Sequence, residues 1–550
     1  MPFFPIPLPP RPVAKPAAVA VSSFTVMGEH SHLSRRQILD SIVALGRGCA
    51  LIPLTRLGRQ NAPEQAKGVV RGSIKDGASG ALTSAKLRVT SPASGEVFWP
   101  EHSVKTMPSQ PRQGGRRYFY VRGEYEIALP PGRYEIEGVR GVCHEAVVRR
   151  VEVSAGSSAR VDITIPVLRD MHPSGWYAGN THTHYQLEIE EAPDDRLRLV
   201  PPAEALDISV ISYLIRNDLP YVTNRYPIGR LPEFSRDGTL IDMGEECRNN
   251  QATSEMGYGH VLFLNIPRLV EPVSTGLLAR DPNMPDFPTI SMLCQEAKKI
   301  GGTTIWCHNG RGLESPVAIA LGAIDVFNVG DSQEGEYARY YQFLNCGFRL
   351  PISTGTDWWI YDHNRVFVRV RGSFSYEAWL EGLRAGRSFI TNGPLLDFTV
   401  NGRGPGEEVP AEKPVRVAAR ALSRLPFERL EIVRDGEVIA EQAAANGREA
   451  VIEREIQVER SGWIAARVAA RAITHGGYIV FAHTGPVYLR VKGVPARRKE
   501  AAARLAREIE ESIAFIRKNY RFAGEADLAI AIGRFEQGRR YYQKLAVAWD

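Results

Sequence analysis

The chain has 550 residues, 43% of them hydrophobic and 24% charged, an ordinary balance for a globular protein that is too long for one core, so several domains are expected. Its 68 basic and 62 acidic residues leave a net charge of +6, spread thinly and with no basic block interleaved with aromatics, which argues against a nucleic-acid groove. No run of about 18 apolar residues offers a membrane-spanning helix, so no stable membrane insertion is expected. Six cysteines at 49, 143, 247, 294, 307 and 346 contain no CxxC, which argues against a disulfide framework and a cysteine-built zinc site.

Residues 1–66 open Met-Pro-Phe-Phe-Pro-Ile-Pro-Leu-Pro-Pro, which suits neither a helix nor a central strand. Ser34-Arg-Arg-Gln-Ile-Leu39, followed by an apolar stretch from Ile42 to Leu54 that contains Arg47, resembles a twin-arginine export signal. Met27 as the start would give a short polar leader before the arginine pair. A disordered leader and export to the periplasm are expected, with a cytoplasmic protein as the alternative.

Residues 67–168 alternate apolar and polar at period two, as in Lys86-Leu-Arg-Val-Thr, Tyr125-Glu-Ile-Ala-Leu and Val161-Asp-Ile-Thr-Ile, which predicts a β-sandwich. Leu129-Pro-Pro-Gly-Arg-Tyr-Glu-Ile resembles the small carboxypeptidase-regulatory-like sandwich, and no chemistry is visible there. Over residues 169–394 short apolar strands alternate with helical stretches. Ile208-Ser-Val-Ile-Ser, Val261-Leu-Phe-Leu-Asn, Thr303-Thr-Ile-Trp-Cys, Ala323-Ile-Asp-Val-Phe and Leu350-Pro-Ile-Ser-Thr read as strands. Helices are predicted over Thr289 to Ile300, Gly335 to Cys346 and Ser375 to Ala385, and the alternation predicts an α/β, TIM-like barrel. Period two returns over 395–493, as in Arg429-Leu-Glu-Ile-Val-Arg-Asp-Gly-Glu-Val-Ile, predicting a second β-sandwich. Residues 494–550 predict a helical hairpin split near Gly524, packed back on the body because Ile513, Phe515, Ile516 and Tyr520 need cover.

Gly179-Asn-Thr-His-Thr-His184 puts two imidazoles one residue apart at the end of a buried strand. Alternation sends His182 and His184 to one side, half of a transition-metal site, with Thr183 pointing away. Glu246, His260, His308 and Asp357 each sit at or beside the end of a short apolar run, the layout of a metal site assembled from strand ends. Four histidines, a glutamate and an aspartate suit zinc first, and also iron or manganese. The same alternation would turn Cys247 and Cys307 away from the site as small buried apolar residues.

Together these residues resemble a PHP-type metal hydrolase (the polymerase and histidinol phosphatase fold) of the CehA/McbA-type family. The resemblance rests on Gly-Asn-Thr-His-Thr-His at 179–184, Gly-Glu-Glu-Cys-Arg at 244–248, Gly259-His260 and His308. It continues through Leu344-Asn-Cys-Gly-Phe-Arg-Leu-Pro-Ile-Ser-Thr-Gly-Thr-Asp357, Ala378-Trp-Leu-Glu-Gly-Leu-Arg-Ala-Gly-Arg-Ser-Phe-Ile-Thr-Asn-Gly-Pro394 and Ala482-His-Thr-Gly-Pro-Val-Tyr488. It implies a distorted PHP barrel flanked by two β-sandwich domains, hydrolysis of an ester, amide or carbamate bond in a small-molecule substrate, and His182, His184, Glu246, His260, His308 and Asp357 at metal-ligand positions. Two departures stand out: Ser212-Tyr213 where such proteins carry an Asp-His pair, and Trp358-Trp359 where a histidine commonly follows the last aspartate. Fewer ligands favour one or two divalent metals over three. His363 would compensate if its loop folded back.

Glu246 is expected to bridge two metals or to take a proton from water, and with His308 is assigned a catalytic role. Arg248 is expected to hold a substrate carboxylate or phosphate, or to pair with a structural acid. Trp176, Trp358, Trp359 and Tyr361 would line an aromatic pocket or pack in a core. No Gly-x-Ser-x-Gly elbow is present, in keeping with a water nucleophile. The alternatives are a PHP-type phosphoesterase and a non-catalytic surface protein that binds a glycan or peptide. The sequence does not set the oligomeric state.

Overall fold

Period-two burial shows how the amino-terminal strands form. Glu124–Leu129 alternates exposed and buried along its whole length, placing Tyr125, Ile127 and Leu129 on one face. The computed structural model describes residues 66–106, 115–185, 193–216, 220–249, 256–279, 281, 283–330, 336–357, 364–494, 496 and 499–547. The leader with its twin-arginine pattern therefore lies outside the described residues. Gly68–Asp76 is the hub of a nine-stranded sheet, paired with Glu124–Leu129 antiparallel and with Ser158–Arg160 and Ile163–Ile165 parallel. Val70, Ile74, Leu87, Val89, Phe119, Ile136, Ile163 and Ile165 close its core.

The strands of the middle of the chain that position the site include β1 (Trp176–Asn180), β2 (Ile208–Tyr213), β3 (Leu240–Asn249), β4 (Gly259–Leu264), β5 (Thr303–Trp306), β6 (Val326–Asn328) and β7 (Ile352–Ser353). The β1–β2, β2–β3, β5–β6 and β6–β7 pairs are parallel. The β3–β4 and β4–β5 pairs are antiparallel. Among the described residues no helix lies between β3 and β4, so the expected strand–helix alternation is interrupted there, whereas Ile290–Lys299 lies between β4 and β5. An antiparallel neighbour can be reached by a short connection, whereas a parallel one needs a crossover, usually a helix. An isolated parallel bridge between Thr183 and Asp357 joins the chain just past β7 to the chain just past β1. The three predicted helices are present as Ile290–Lys299, Ala338–Asn345 and Tyr376–Arg384, the last capped by the Ser375 hydroxyl, which accepts from the Ala378 amide.

Hydrogen bonding runs on past residue 394. Strand β8 (Arg365–Arg369) pairs with β9 (Ser388–Thr391), and β9 pairs with Ala482–Thr484 of the second β-sandwich. A three-stranded sheet of Leu395–Val400, Val415–Leu422 and Glu449–Ile456 forms the other layer. The carboxy-terminal helices, Lys499–Asn519 and Glu525–Val547, bury Ile513, Ile516, Phe535 and Tyr542 in the same apolar cluster as β4 and β5, joined by Tyr520 just past the first helix and with Phe515 half-buried against it. Gly538 lies against Val317, and the Tyr542 hydroxyl donates to the Pro316 oxygen at 3.0 Å. No helix among the described residues is long and apolar enough to cross a membrane.

Candidate metal centre

The strand register explains why these side chains meet. Alternate residues of β3 face the same way, so Glu246 and Arg248 share a face while Cys247 turns into the apolar core. His260 on β4 lies directly opposite Arg248, two pairs along from Glu246 and so on the same face. His182 and His184 lie just past β1, where the bridge from Thr183 to Asp357 keeps the chain extended and sends both imidazoles to the same side. Asn180 fixes this corner: its Oδ1 accepts from the His182 amide at 3.0 Å and its Nδ2 donates to the Thr356 hydroxyl at 2.9 Å. The amides of Thr356 and Asp357 both donate to the His182 oxygen, at 3.1 and 3.0 Å.

All six expected ligands converge in two groups that share Glu246. Around its Oε2, His184 Nε2 lies at 3.0 Å and His182 Nε2 at 3.7 Å, and Asp357 Oδ1 is 3.4 Å from His182 Nε2. Around its Oε1, His260 Nδ1 lies at 3.0 Å and His308 Nε2 at 3.5 Å. His182 and His184 are fully buried and the other four are at most 7% exposed. His184 Nδ1 donates to the main-chain oxygen of Ser212 at 2.9 Å, which fixes the tautomer and leaves the Nε2 lone pair facing Glu246. Ser212 thus orients His184 through its backbone oxygen.

The donor set fits a divalent metal. Both Glu246 oxygens are buried and accept no hydrogen bond among the described residues, although imidazole nitrogens surround them. A buried carboxylate so placed is costly unless a cation compensates it. Burial pushes the Glu246 carboxyl upward, but the Arg248 charge and the surrounding imidazoles outweigh it and hold the group well below its ordinary range. Burial and Arg248 push His260 down to about 3, so it is neutral at neutral pH, the form in which an imidazole can bind a metal. The Arg248 Nη1 lies 3.8 Å from Glu246 Oε2, and the residue is 7% exposed.

Backbone conformation is unusual where ligands sit. His308, Asn309 and Asp357 have φ of 52°, 56° and 67°, in the left-handed region that non-glycine residues rarely occupy. This turn also overturns the expectation for Cys307. Alternation points it away, yet its sulfur comes within 4.8 Å of ring nitrogens of His182 and His308 because the chain leaves the strand after Trp306. Cys247 does point away, its sulfur 4.0 Å from the Pro272 oxygen. The described cysteines are all free thiols.

Sequence reasoning missed two neighbours. The Tyr221 ring lies 5.3 Å from His184, and Asn309 Oδ1 accepts from the Gly330 amide at 2.7 Å. No motif marks Tyr221; Asn309 follows His308 directly, which was a usable signal. Trp176 packs edge-on against Phe389 at 5.1 Å, at the end of β1 away from the histidines. Trp358, Trp359, Tyr361 and His363 lie outside the described residues. His483 is buried against Tyr337 and Tyr341 rather than in the metal groups.

No family model matches this chain, and no curated protein matches it. Among solved structures, the fibronectin(III)-like modules of Clostridium thermocellum CbhA are 17% identical over 18% of this chain and 99% of theirs, with a TM-score of 0.13. The Bacillus anthracis TIE protein is 9% identical over 78% of this chain and 50% of its own, with a TM-score of 0.13. A glycosyl hydrolase family 2 member from Bacteroides cellulosilyticus is 11% identical over 78% and 61%, with a TM-score of 0.20.

Proposed function

We propose that this protein is an exported, metal-dependent hydrolase of the PHP, CehA/McbA-like kind, acting on an ester, amide or carbamate bond of a small molecule. One observation carries the reading: Glu246 presents one carboxylate oxygen to His182, His184 and Asp357 and the other to His260 and His308. The return of the chain from β7 to β1 through Thr183 and Asp357 supports reading the seven strands as a distorted barrel. In this reading the two groups hold one or two divalent metals, zinc first and iron or manganese next. A metal held there by these residues would supply an acidified water and polarisation of the substrate oxygen.

The chain's own residues do the rest. With one metal bound, the Glu246 oxygen facing the other group would take the proton of the attacking water, and His308, 3.5 Å from Glu246, completes the catalytic pair. Burial of all six groups excludes bulk water and strengthens each charge interaction. Arg248 holds an anionic or carbonyl part of the substrate beside Glu246. Its guanidinium also favours the second reading, a phosphoesterase, because a planar donor fork suits phosphate.

Metal content of the purified chain and turnover of aryl esters, aryl carbamates and aryl phosphates test this. Stoichiometric metal and hydrolysis that disappears in His182→Ala/His184→Ala are expected. Turnover of phosphates alone puts the phosphoesterase first. Absent metal, or hydrolysis unchanged in the double variant, removes the enzyme and leaves a glycan- or peptide-binding surface protein.

A further inference from the structure

We infer that the Cys307 thiol is itself a metal ligand, held with His182 and His308 in a third group of imidazole and thiolate donors beside the two that share Glu246. The inference rests on the metal-centre reading above and adds a donor that strand periodicity hides. Cys307 is 1% exposed, and its sulfur, a His182 ring nitrogen and a His308 ring nitrogen all lie within 4.8 Å of one another. Three donors at that separation can close on one ion by small side-chain rotations.

The backbone places it there deliberately. The Cys307 amide donates to the His260 oxygen at 3.1 Å, tying this residue to the strand that carries another ligand. His308 and Asn309 then turn through left-handed φ, so two consecutive side chains face the same centre, which an extended strand cannot do. Glu246, whose buried oxygens accept no hydrogen bond among the described residues, stands in the groups that share His182 and His308 with Cys307, a second mark of a cation beside the thiol. Cys307 is therefore not an isolated thiol.

Coordination breaks the Sγ–H bond, forms a sulfur–metal bond and releases one proton to the buffer, with no oxidation. A soft sulfur donor shifts preference toward zinc, cadmium and cobalt over manganese.

Cobalt(II) loading of the full chain, read by absorption spectroscopy, tests this without substrate. A near-ultraviolet sulfur-to-cobalt charge-transfer band is expected in the wild type and in Cys247→Ser, whose sulfur points elsewhere, and is expected to vanish in Cys307→Ser. Zinc affinity of Cys307→Ser is expected to fall about tenfold or more, the scale on which ligand-sphere changes act, with manganese affinity unchanged. Cobalt bound with visible ligand-field bands but no charge-transfer band in the wild type overturns the thiolate while leaving the metal centre standing. A band that persists in Cys307→Ser also overturns it. Failure of the wild type to take up any cobalt or zinc overturns the metal centre and the thiolate with it. Cys307→Ala, read for the same loss or persistence of the band, replaces Cys307→Ser if that variant does not fold.

Discussion

Gly355 has no side chain where His182 needs room. A Cβ there would lie 2.4 Å from the His182 Cβ and 2.8 Å from its backbone nitrogen, so the segment before Asp357 can lie against the HxH segment only as glycine. Gly355→Ala is expected to destabilise the fold by roughly 1–3 kcal/mol, the usual cost of overpacking, and to displace His182. Thermal unfolding and zinc titration measure both effects. Unchanged zinc affinity would show that His182 does not depend on this contact.

Glu246 and Asp357 separate the two ligand groups. Glu246 belongs to both, Asp357 to one. Glu246→Gln is therefore expected to lower bound metal per chain more than Asp357→Asn does, as measured by elemental analysis after dialysis. Equal losses in the two variants would contradict a carboxylate shared between groups.

His483 makes a pH prediction away from the metal centre. Its Nδ1 donates to the Thr484 oxygen at 2.7 Å, so its Nε2 accepts from the Tyr341 hydroxyl at 2.7 Å. Burial pushes this imidazole down to about 3, against the hydrogen bond to Thr484, which favours the charged form. The unfolded chain takes up the proton near pH 6.5 and the folded one does not, so stability falls as pH is lowered from about 6.5 toward 3, by roughly 1.4 kcal/mol per unit from this residue. Denaturant unfolding of wild type and His483→Gln across pH 7 to 4 reads the difference. Parallel stability curves would remove His483 as the cause.

Lys86 and Glu204 join the first sandwich to the central strands. Their charges meet at 2.8 Å with side chains 2% and 0% exposed, and Arg365 Nη1 donates to the Glu204 main-chain oxygen at 2.6 Å. Lys86→Met strands part of a buried charge and is expected to cost about 3 kcal/mol or more, whereas Lys86→Met/Glu204→Gln recovers much of it. Chemical denaturation of the single and double variants measures the coupling. A double variant no more stable than the single one would argue against it.

Local pattern determined a good deal of this protein. The alternation in Glu124–Leu129, the helix capped at Ser375 and the cover needed by Ile513, Ile516 and Tyr520 were all legible, because each depends on side-chain periodicity within one element. The HxH pair at His182 and His184 was legible for the same reason. Only the tertiary structure decided that Glu246 serves two groups at once, that Ser212 orients His184 through its backbone oxygen, and that Thr183 and Asp357 bring the strands β1 and β7 together. Those relationships join segments far apart in the chain, and periodicity carries no information about which strand becomes whose neighbour. Cys307 shows the same limit at short range: a left-handed φ at His308 and Asn309, residue types that tolerate that region, ends the strand alternation just past Cys307, and strand periodicity does not register it.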